Sequence, residues 1–304
     1  MSLKLFVIGC GSATPVGQRI SSAFALKKAS EYFLIDCSEG TQMRLKPLGI
    51  RMNKISRVFI SHLHGDHYFG LVCLLSTLHL FGRKEPMHVY GHAPLKDIID
   101  LQMKAGNTTL CYPLHFHEIK PNQATVIYED ETIVVSTFPL LHSIPTNGFL
   151  FQEKKRAVNI SKSFVEKYKL SSKEIYHIKN GNNYTDKQGN IHLFEDITSP
   201  SPYKPKSFAY CSDTAYYEDI IPYVKGADLL YHETTFMDDM KDVALDKLHA
   251  TTSEAATIAQ KAEVKRLLIG HYSARYSSTE PMLNEARKIF PQTIAAEEGL
   301  IIDI

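Results

Sequence analysis

A chain of 304 residues with 44% hydrophobic and 22% charged residues can build one large core, and its net charge of +1 gives no global attraction to nucleic acid or anionic membrane. No stretch approaches the ~20 apolar residues needed to span a bilayer, and the apolar start over residues 1–8 is too short for a secretory signal. Five cysteines, Cys10, Cys37, Cys73, Cys111 and Cys211, contain no Cys-x-x-Cys pair; this argues against thiolate zinc and for a reduced compartment, so a cytoplasmic protein is expected.

In chain order, short apolar runs predict strands over 3–8, 22–27 and 32–35, a helix over 39–48 and a strand over 57–60. A mostly apolar helix is expected over 68–81, a strand over 87–90 and a helix over 93–104, where Leu95, Ile98, Ile99 and Met103 share a face. Strands follow over 115–119, 125–128, 132–138 and 149–152. After an irregular stretch, strands over 208–211, 228–231 and 266–269 alternate with helices over 217–224, 252–262 and 280–289. Two sets of strands, each accompanied by helices, predict an α/β protein built as a four-layer sandwich of helix, sheet, sheet and helix. Ligands in such folds gather where strands end in loops.

The most informative segment sits at one such strand end. Residues 61–67 read Ser-His-Leu-His-Gly-Asp-His, which places four metal-ligand side chains, His62, His64, Asp66 and His67, within six positions. In an extended chain His62 and His64 point the same way and can grip one metal, while a turn at Gly65 aims Asp66 and His67 at a second. Three further candidates, His142, Asp213 and His271, each stand just past a predicted strand.

Other segments complete a pattern: Phe6 to Pro15 (FVIGCGSATP), Ile35 to Gln42 (IDCSEGTQ), His142 to Phe149 (HSIPTNGF), Tyr210 to Thr214 (YCSDT), His232 to Phe236 (HETTF), His249 to Thr251 (HAT) and His271 to Tyr276 (HYSARY). With the histidine cluster, and over essentially the whole chain, the sequence resembles ribonuclease Z in its short form, the tRNA 3′-processing endoribonuclease of the metallo-β-lactamase fold. The resemblance implies two Zn²⁺ per subunit, one held by His62, His64 and His142, the other by Asp66, His67 and His271, with Asp213 bridging. It also implies Asp66 as general base, His249 as proton donor or phosphate ligand, and a homodimer that takes precursor tRNA. Two Zn²⁺ outweigh two aspartates and one hydroxide, leaving a centre that attracts a phosphodiester; a metal-activated hydroxide would leave a 3′-hydroxyl on the tRNA and a 5′-phosphate on the trailer. Ala250 stands where the family has serine, and Ser38 where it has glycine. The histidine cluster is shared with other hydrolases of this fold, so hydrolysis of small esters or cyclic nucleotides is the competing activity.

Residues 153–206 carry eleven Lys or Arg against six Asp or Glu, concentrating positive charge in a chain whose total is only +1. A loop this long is expected to be functional or separately folded. Phe164, Val165, Tyr168, Ile175, Tyr176, Ile178, Ile191, Leu193 and Phe194 are expected to build a small cluster from a helix pair and a hairpin. By position the segment matches the arm with which the family grips tRNA, with Lys154, Lys155 and Arg156 as candidate contacts, although it lacks the family's Gly/Pro-rich motif. Asp36 is expected to orient a metal ligand from behind, and His232 and Glu233 to support His249. His115 and His117 are read as surface residues, and Tyr272, Arg275 and Tyr276 as residues that pack or contact RNA.

Overall fold

The computed structural model describes residues 3–14, 16–17 and 19–304. Most of the chain, residues 1–129, 134–152 and 206–304, forms one compact unit; residues 130–133 and 153–205 form a second. The first contains two seven-stranded sheets. One runs in the order Ile301–Asp303, Lys4–Gly9, Ala23–Lys28, Glu31–Ile35, Ile55–Phe59, Met87–Gly91, Leu114–Glu118; the other runs Thr293–Ala295, Leu267–Gly270, Leu229–Glu233, Ser207–Cys211, Thr146–Glu153, Ile133–Leu140, Thr125–Glu129.

Aromatic side chains fill the space between the sheets. Phe33, Phe59, Phe149, Phe151, Phe208 and Tyr210 are fully buried and meet edge-on or stacked, Phe59 standing 5.3 Å from Phe151 and 5.7 Å from Phe149. Burying each such ring stabilises the fold by roughly 1.5–3 kcal/mol. The helix Gly70–Leu80 covers the outer face of the first sheet through Leu71, Leu74, Leu75 and Leu78, and Thr252–Lys261 packs against strands of the second. The four predicted layers are therefore present.

Each sheet has a parallel half, and the carboxyl ends of those strands supply most of the site. Glu31–Ile35, Ile55–Phe59 and Met87–Gly91 run parallel, as do Ser207–Cys211, Leu229–Glu233 and Leu267–Gly270. Helix entry is set by local chemistry: Thr251 and Glu254 form a reciprocal capping box at the start of Thr252–Lys261. Gly70 lets its helix approach the loop after Glu31–Ile35, because a Cβ there would lie 2.0 Å from the Ser38 carbonyl oxygen.

The second unit has its own apolar centre of Leu170, Ile178, Tyr184 and Ile197, with Phe164, Val165, Tyr168, Ile175 and Phe194 packed on it. Helices Lys162–Tyr168 and Ser172–Lys179 and the hairpin of Tyr184–Thr185 with Ile191–His192 provide the frame. Three residues expected in this cluster are outside it: Tyr176, Ile191 and Leu193 are exposed. Tyr176 lies on the outward face of its helix, and Ile191 and Leu193 alternate with His192, whose ring packs on Phe164 and Tyr168.

Candidate metal centre

After Ile55–Phe59 the chain stays extended as far as His64, then turns helical at Gly65. His62 and His64 consequently project to the same side, with His62 Nε2 3.1 Å from His64 Nδ1. His142, past the end of Ile133–Leu140, brings Nε2 to 3.2 Å from the same His64 nitrogen. The helical turn carries Asp66 and His67 to a second group, where His67 Nε2 and His271 Nε2 lie 3.4 and 3.6 Å from Asp66 Oδ2.

Asp213 stands between the two groups. Its Oδ2 faces His62 Nε2 at 3.7 Å and His142 Nε2 at 3.8 Å, whereas its Oδ1 faces His67 Nε2 at 3.4 Å and His271 Nε2 at 3.2 Å. All seven side chains singled out in the sequence as metal ligands thus converge, in two sets of donor atoms that each fall within a 4.8 Å sphere of separation.

The donor atoms suit divalent cations. His142 Nδ1 lies 2.9 Å from the Leu248 carbonyl oxygen and so carries the proton, which leaves Nε2 as a lone pair aimed at His64. His67 Nε2, His271 Nε2 and Asp213 Oδ1 are buried without any hydrogen-bond partner, although unpaired buried polar atoms ordinarily cost about 1–3 kcal/mol each. Converging nitrogens and carboxylates at such separations fit a divalent cation held between them. Burial lowers the pKa of His62 and of His142, keeping both rings neutral and able to coordinate.

Behind the ligands lie two buried carboxylates. Asp36, in left-handed backbone with φ 54°, accepts from His67 Nδ1 at 2.8 Å and from the Tyr210 hydroxyl at 2.6 Å. That second bond joins the two sheets. Glu233 accepts from His249 Nδ1 at 2.8 Å, from the Ala250 N–H at 3.0 Å and from the Thr214 N–H at 3.2 Å. Burial would depress the His249 pKa, yet the Glu233 carboxylate overcomes it and holds His249 up at about 9.

These groups open on a cavity of about 870 Å³ whose wall also includes Ser12, Thr14, Ser143, Phe236, Lys247 and Arg275. Lys247 was not evident in the sequence, where it reads as one more surface lysine. Of the expected helpers, Glu233 meets His249, but His232 does not: its Nδ1 bonds its neighbour's carbonyl oxygen at 2.8 Å. Tyr272 is buried, with its hydroxyl on the Ile269 carbonyl, and Tyr276 accepts the Met237 N–H, so of the three aromatic-loop candidates only Arg275 faces the cavity. His115 is exposed; His117 is half-buried, stacked 4.4 Å from Tyr90 and bonded to His88. Ser38 is buried and donates to the Ser21 carbonyl. Lys154, Lys155 and Arg156 belong to the second unit, where they line a cavity of about 330 Å³ and Arg156 lies 3.5 Å over the Tyr203 ring.

The family model described as "Anti-Pycsar protein Apyc1" matches residues 3–164, and the one described as "Beta-lactamase superfamily domain" matches residues 202–272. Full-length relatives are more specific. A ribonuclease Z of Bacteroides thetaiotaomicron is 40% identical over 301 residues, 99% of this chain and 95% of that one. One from Cytophaga hutchinsonii is 45% identical over 300 residues, 98% and 95% of the two chains. Among solved structures, human tRNase Z, short form, superposes with a TM-score of 0.73 at 26% identity over 99% of both chains. The Bacillus subtilis metallo-β-lactamase fold protein YhfI, at 18% identity and TM-score 0.70 over the whole of both chains, shares the fold. With a metallo-β-lactamase sandwich, a seven-residue donor set at its strand ends and this degree of full-length identity, the chain belongs to the ribonuclease Z family.

Proposed function

We propose that this ribonuclease Z, an endoribonuclease of tRNA 3′-end processing, removes the 3′ trailer from precursor tRNA by hydrolysis at the seven-residue centre, with two zinc ions as its cofactors. The observation that carries the reading is Asp213, whose two carboxylate oxygens face separate sets of imidazoles. Bound there, a pair of zinc ions supplies positive charge for the phosphodiester and makes water acidic enough to attack at neutral pH.

The protein's own groups then handle the protons. Asp66, at the cavity wall beside His67 and His271, accepts the proton of the attacking water. The new bond forms at phosphorus and the bond to the 3′ oxygen breaks. His249, protonated at neutral pH and held through Nδ1 by Glu233, gives its other proton to the departing 3′ oxygen. The tRNA therefore ends in a 3′-hydroxyl and the trailer begins with a 5′-phosphate.

The second unit serves as the exosite for the tRNA body. Its ten basic residues in 153–205, Lys154, Lys155 and Arg156 among them, attract phosphates that the net negative remainder of the chain does not. Exposed Met43, Leu80 and Phe81 on the helices Thr41–Leu45 and Gly70–Leu80 and their ends support a homodimer. Five unpaired cysteines suit the cytoplasm. Among the described residues no helix is long and apolar enough to cross a membrane.

The test is cleavage of an end-labelled precursor tRNA with analysis of both new ends. A 3′-hydroxyl and a 5′-phosphate are expected. A 2′,3′-cyclic phosphate would mean that the RNA's own 2′-hydroxyl attacks, and the mechanism would be wrong.

A further inference from the structure

A neutral imidazole coordinates a metal only through its unprotonated nitrogen, so something must decide which nitrogen keeps the proton. In His67 and His142 that decision is direct, through Asp36 and the Leu248 carbonyl oxygen. His62 and His271 have no such partner. Each has instead a hydroxyl at Nδ1: Ser61 Oγ at 3.0 Å from His62 and Thr235 Oγ1 at 2.8 Å from His271.

A hydroxyl alone sets no direction, because it donates or accepts equally well. Here both hydroxyls also touch a carboxylate. Thr235 Oγ1 is 2.7 Å from Glu233 Oε2, and Ser61 Oγ is 2.9 Å from Asp36 Oδ2. Those carboxylates act as acceptors throughout: Glu233 Oε2 also takes the Thr235 N–H at 2.8 Å, and Asp36 Oδ1 takes the Ser61 N–H at 2.8 Å. Ser61 Oγ also meets Ser212 Oγ at 2.9 Å and Thr235 Oγ1 meets His249 Nδ1 at 3.2 Å, but the carboxylate is the one neighbour of each that can only accept, so each hydroxyl gives its single proton there and presents a lone pair to the imidazole. The Nδ1 it faces must carry hydrogen, which leaves Nε2 bare.

The bare nitrogens are the ones aimed into the centre. His271 Nε2 is buried, without a hydrogen-bond partner, 3.2 Å from Asp213 Oδ1; His62 Nε2 lies 3.1 Å from His64 Nδ1 and 3.7 Å from Asp213 Oδ2. We propose that Ser61 and Thr235 are positioning residues that relay the polarity of two buried carboxylates, Asp36 and Glu233, onto His62 and His271 and so lock both rings in the metal-binding tautomer. There is one relay per sheet. Asp36 follows Glu31–Ile35 of the first sheet, and Glu233 ends Leu229–Glu233 of the second. Each carboxylate holds one further imidazole directly, His67 by Asp36 and His249 by Glu233. Thr235 is 4% exposed and Ser61 fully buried, so water cannot readily substitute for either hydroxyl.

The inference rests on the metal-centre reading, and the experiment separates the two. Zinc affinity of the full chain is measured by chelator competition for wild type, Thr235→Val and Thr235→Ser, with ¹⁵N-histidine NMR of the metal-free proteins to report the tautomers. Valine keeps the shape of threonine and removes the hydroxyl; serine keeps the hydroxyl. Thr235→Val should lose about 10- to 100-fold in affinity at one of the two sites, the range for a lost partner behind a ligand, while Thr235→Ser stays within about 3-fold of wild type. Wild-type and Thr235→Ser spectra should show His271 protonated at Nδ1. Equal affinity in Thr235→Val and wild type, or an Nε2-protonated His271 in the wild-type spectrum, would overturn the relay; the latter decides even if the valine variant does not fold. A wild type that binds no zinc would instead overturn the metal-centre reading.

Discussion

Asp213 is the residue on which both halves of the centre depend, because each of its oxygens faces a different set of imidazoles. Asp213→Ala is expected to hold fewer than two zinc ions per chain and to lose activity with them; elemental analysis of the purified variant checks this, and full two-metal occupancy would refute the bridging role. Asp66, beside His67 and His271, has in addition the proposed role of accepting a proton from water. Asp66→Asn preserves shape but not basicity, so single-turnover cleavage should slow by roughly 10²- to 10⁴-fold. A variant that binds both metals and cuts at the wild-type rate would exclude Asp66 as the base. Three residues of this neighbourhood, Asp36 at φ 54°, Leu248 at φ 54° and His271 at φ 64°, occupy left-handed backbone without being glycine. Such conformations cost on the order of 1–3 kcal/mol and persist where surrounding bonds over-determine them, which the Asp36 contacts to Ser61, His67 and Tyr210 do.

Strands and helices set how accurately these side chains are aimed. Asp228, just before Leu229–Glu233, accepts from Ser207 N–H at 2.9 Å and from Lys265 Nζ at 2.7 Å, tying together the starts of the strands whose far ends supply Asp213 and Glu233. Burial would raise its pKa, but Lys265 and the Ser207 N–H outweigh this, so its pKa is lowered from the ordinary 3.8. A carboxyl of lowered pKa contributes stability above its unfolded value and loses it as pH falls through the folded one. Asp228→Asn should therefore melt below wild type at pH 7, and the gap should close as pH drops below about 4. A gap that is constant with pH would exclude the ionised carboxylate as its source. Gly70→Ala should destabilise by about 1–3 kcal/mol, since its Cβ would sit 2.0 Å from a backbone oxygen of the loop that follows Asp36; chemical denaturation measures it. The helix expected over 39–48 is shorter, Thr41–Leu45: Gly40 before it is in left-handed backbone, and Pro47 beyond it has no N–H to continue the ladder. The stretch over 217–224 starts as a 3₁₀ turn, Glu218–Ile220, before Ile221–Val224.

At the scale of the molecule, the question is whether a tRNA enzyme needs more than its centre. Replacing residues 153–205 by a short Gly/Ser linker removes none of the seven proposed ligands. If that unit binds the tRNA body, kcat/KM for precursor tRNA should fall sharply while hydrolysis of a small chromogenic phosphodiester survives. The loss should shrink as salt rises, because lysine and arginine contacts to phosphate release counterions on binding. Equal processing by the shortened enzyme at moderate salt would make the unit a basic appendage, and loss of the small-substrate activity as well would show that the deletion harmed the fold.

The amino-acid sequence by itself determined the four-layer architecture, the seven converging donors and the family, because strand periodicity and a His-x-His-x-Asp-His turn are local patterns that survive without knowledge of what packs on them. Two strands of the large sheets escaped it: Thr293–Ala295 and Ile301–Asp303 are three residues long, too short to show alternation, and exist through pairing with Leu267–Gly270 and Lys4–Gly9. Only the tertiary structure decided which groups stand behind the histidines, that Glu233 rather than His232 holds His249, and that Tyr272 is core. Those outcomes depend on where a hydroxyl, a carboxylate and a ring from distant strands meet, as when Tyr210 reaches across the sandwich to Asp36, 174 positions away. Spacing along the chain carries no record of such distances; burial and hydrogen-bond direction do.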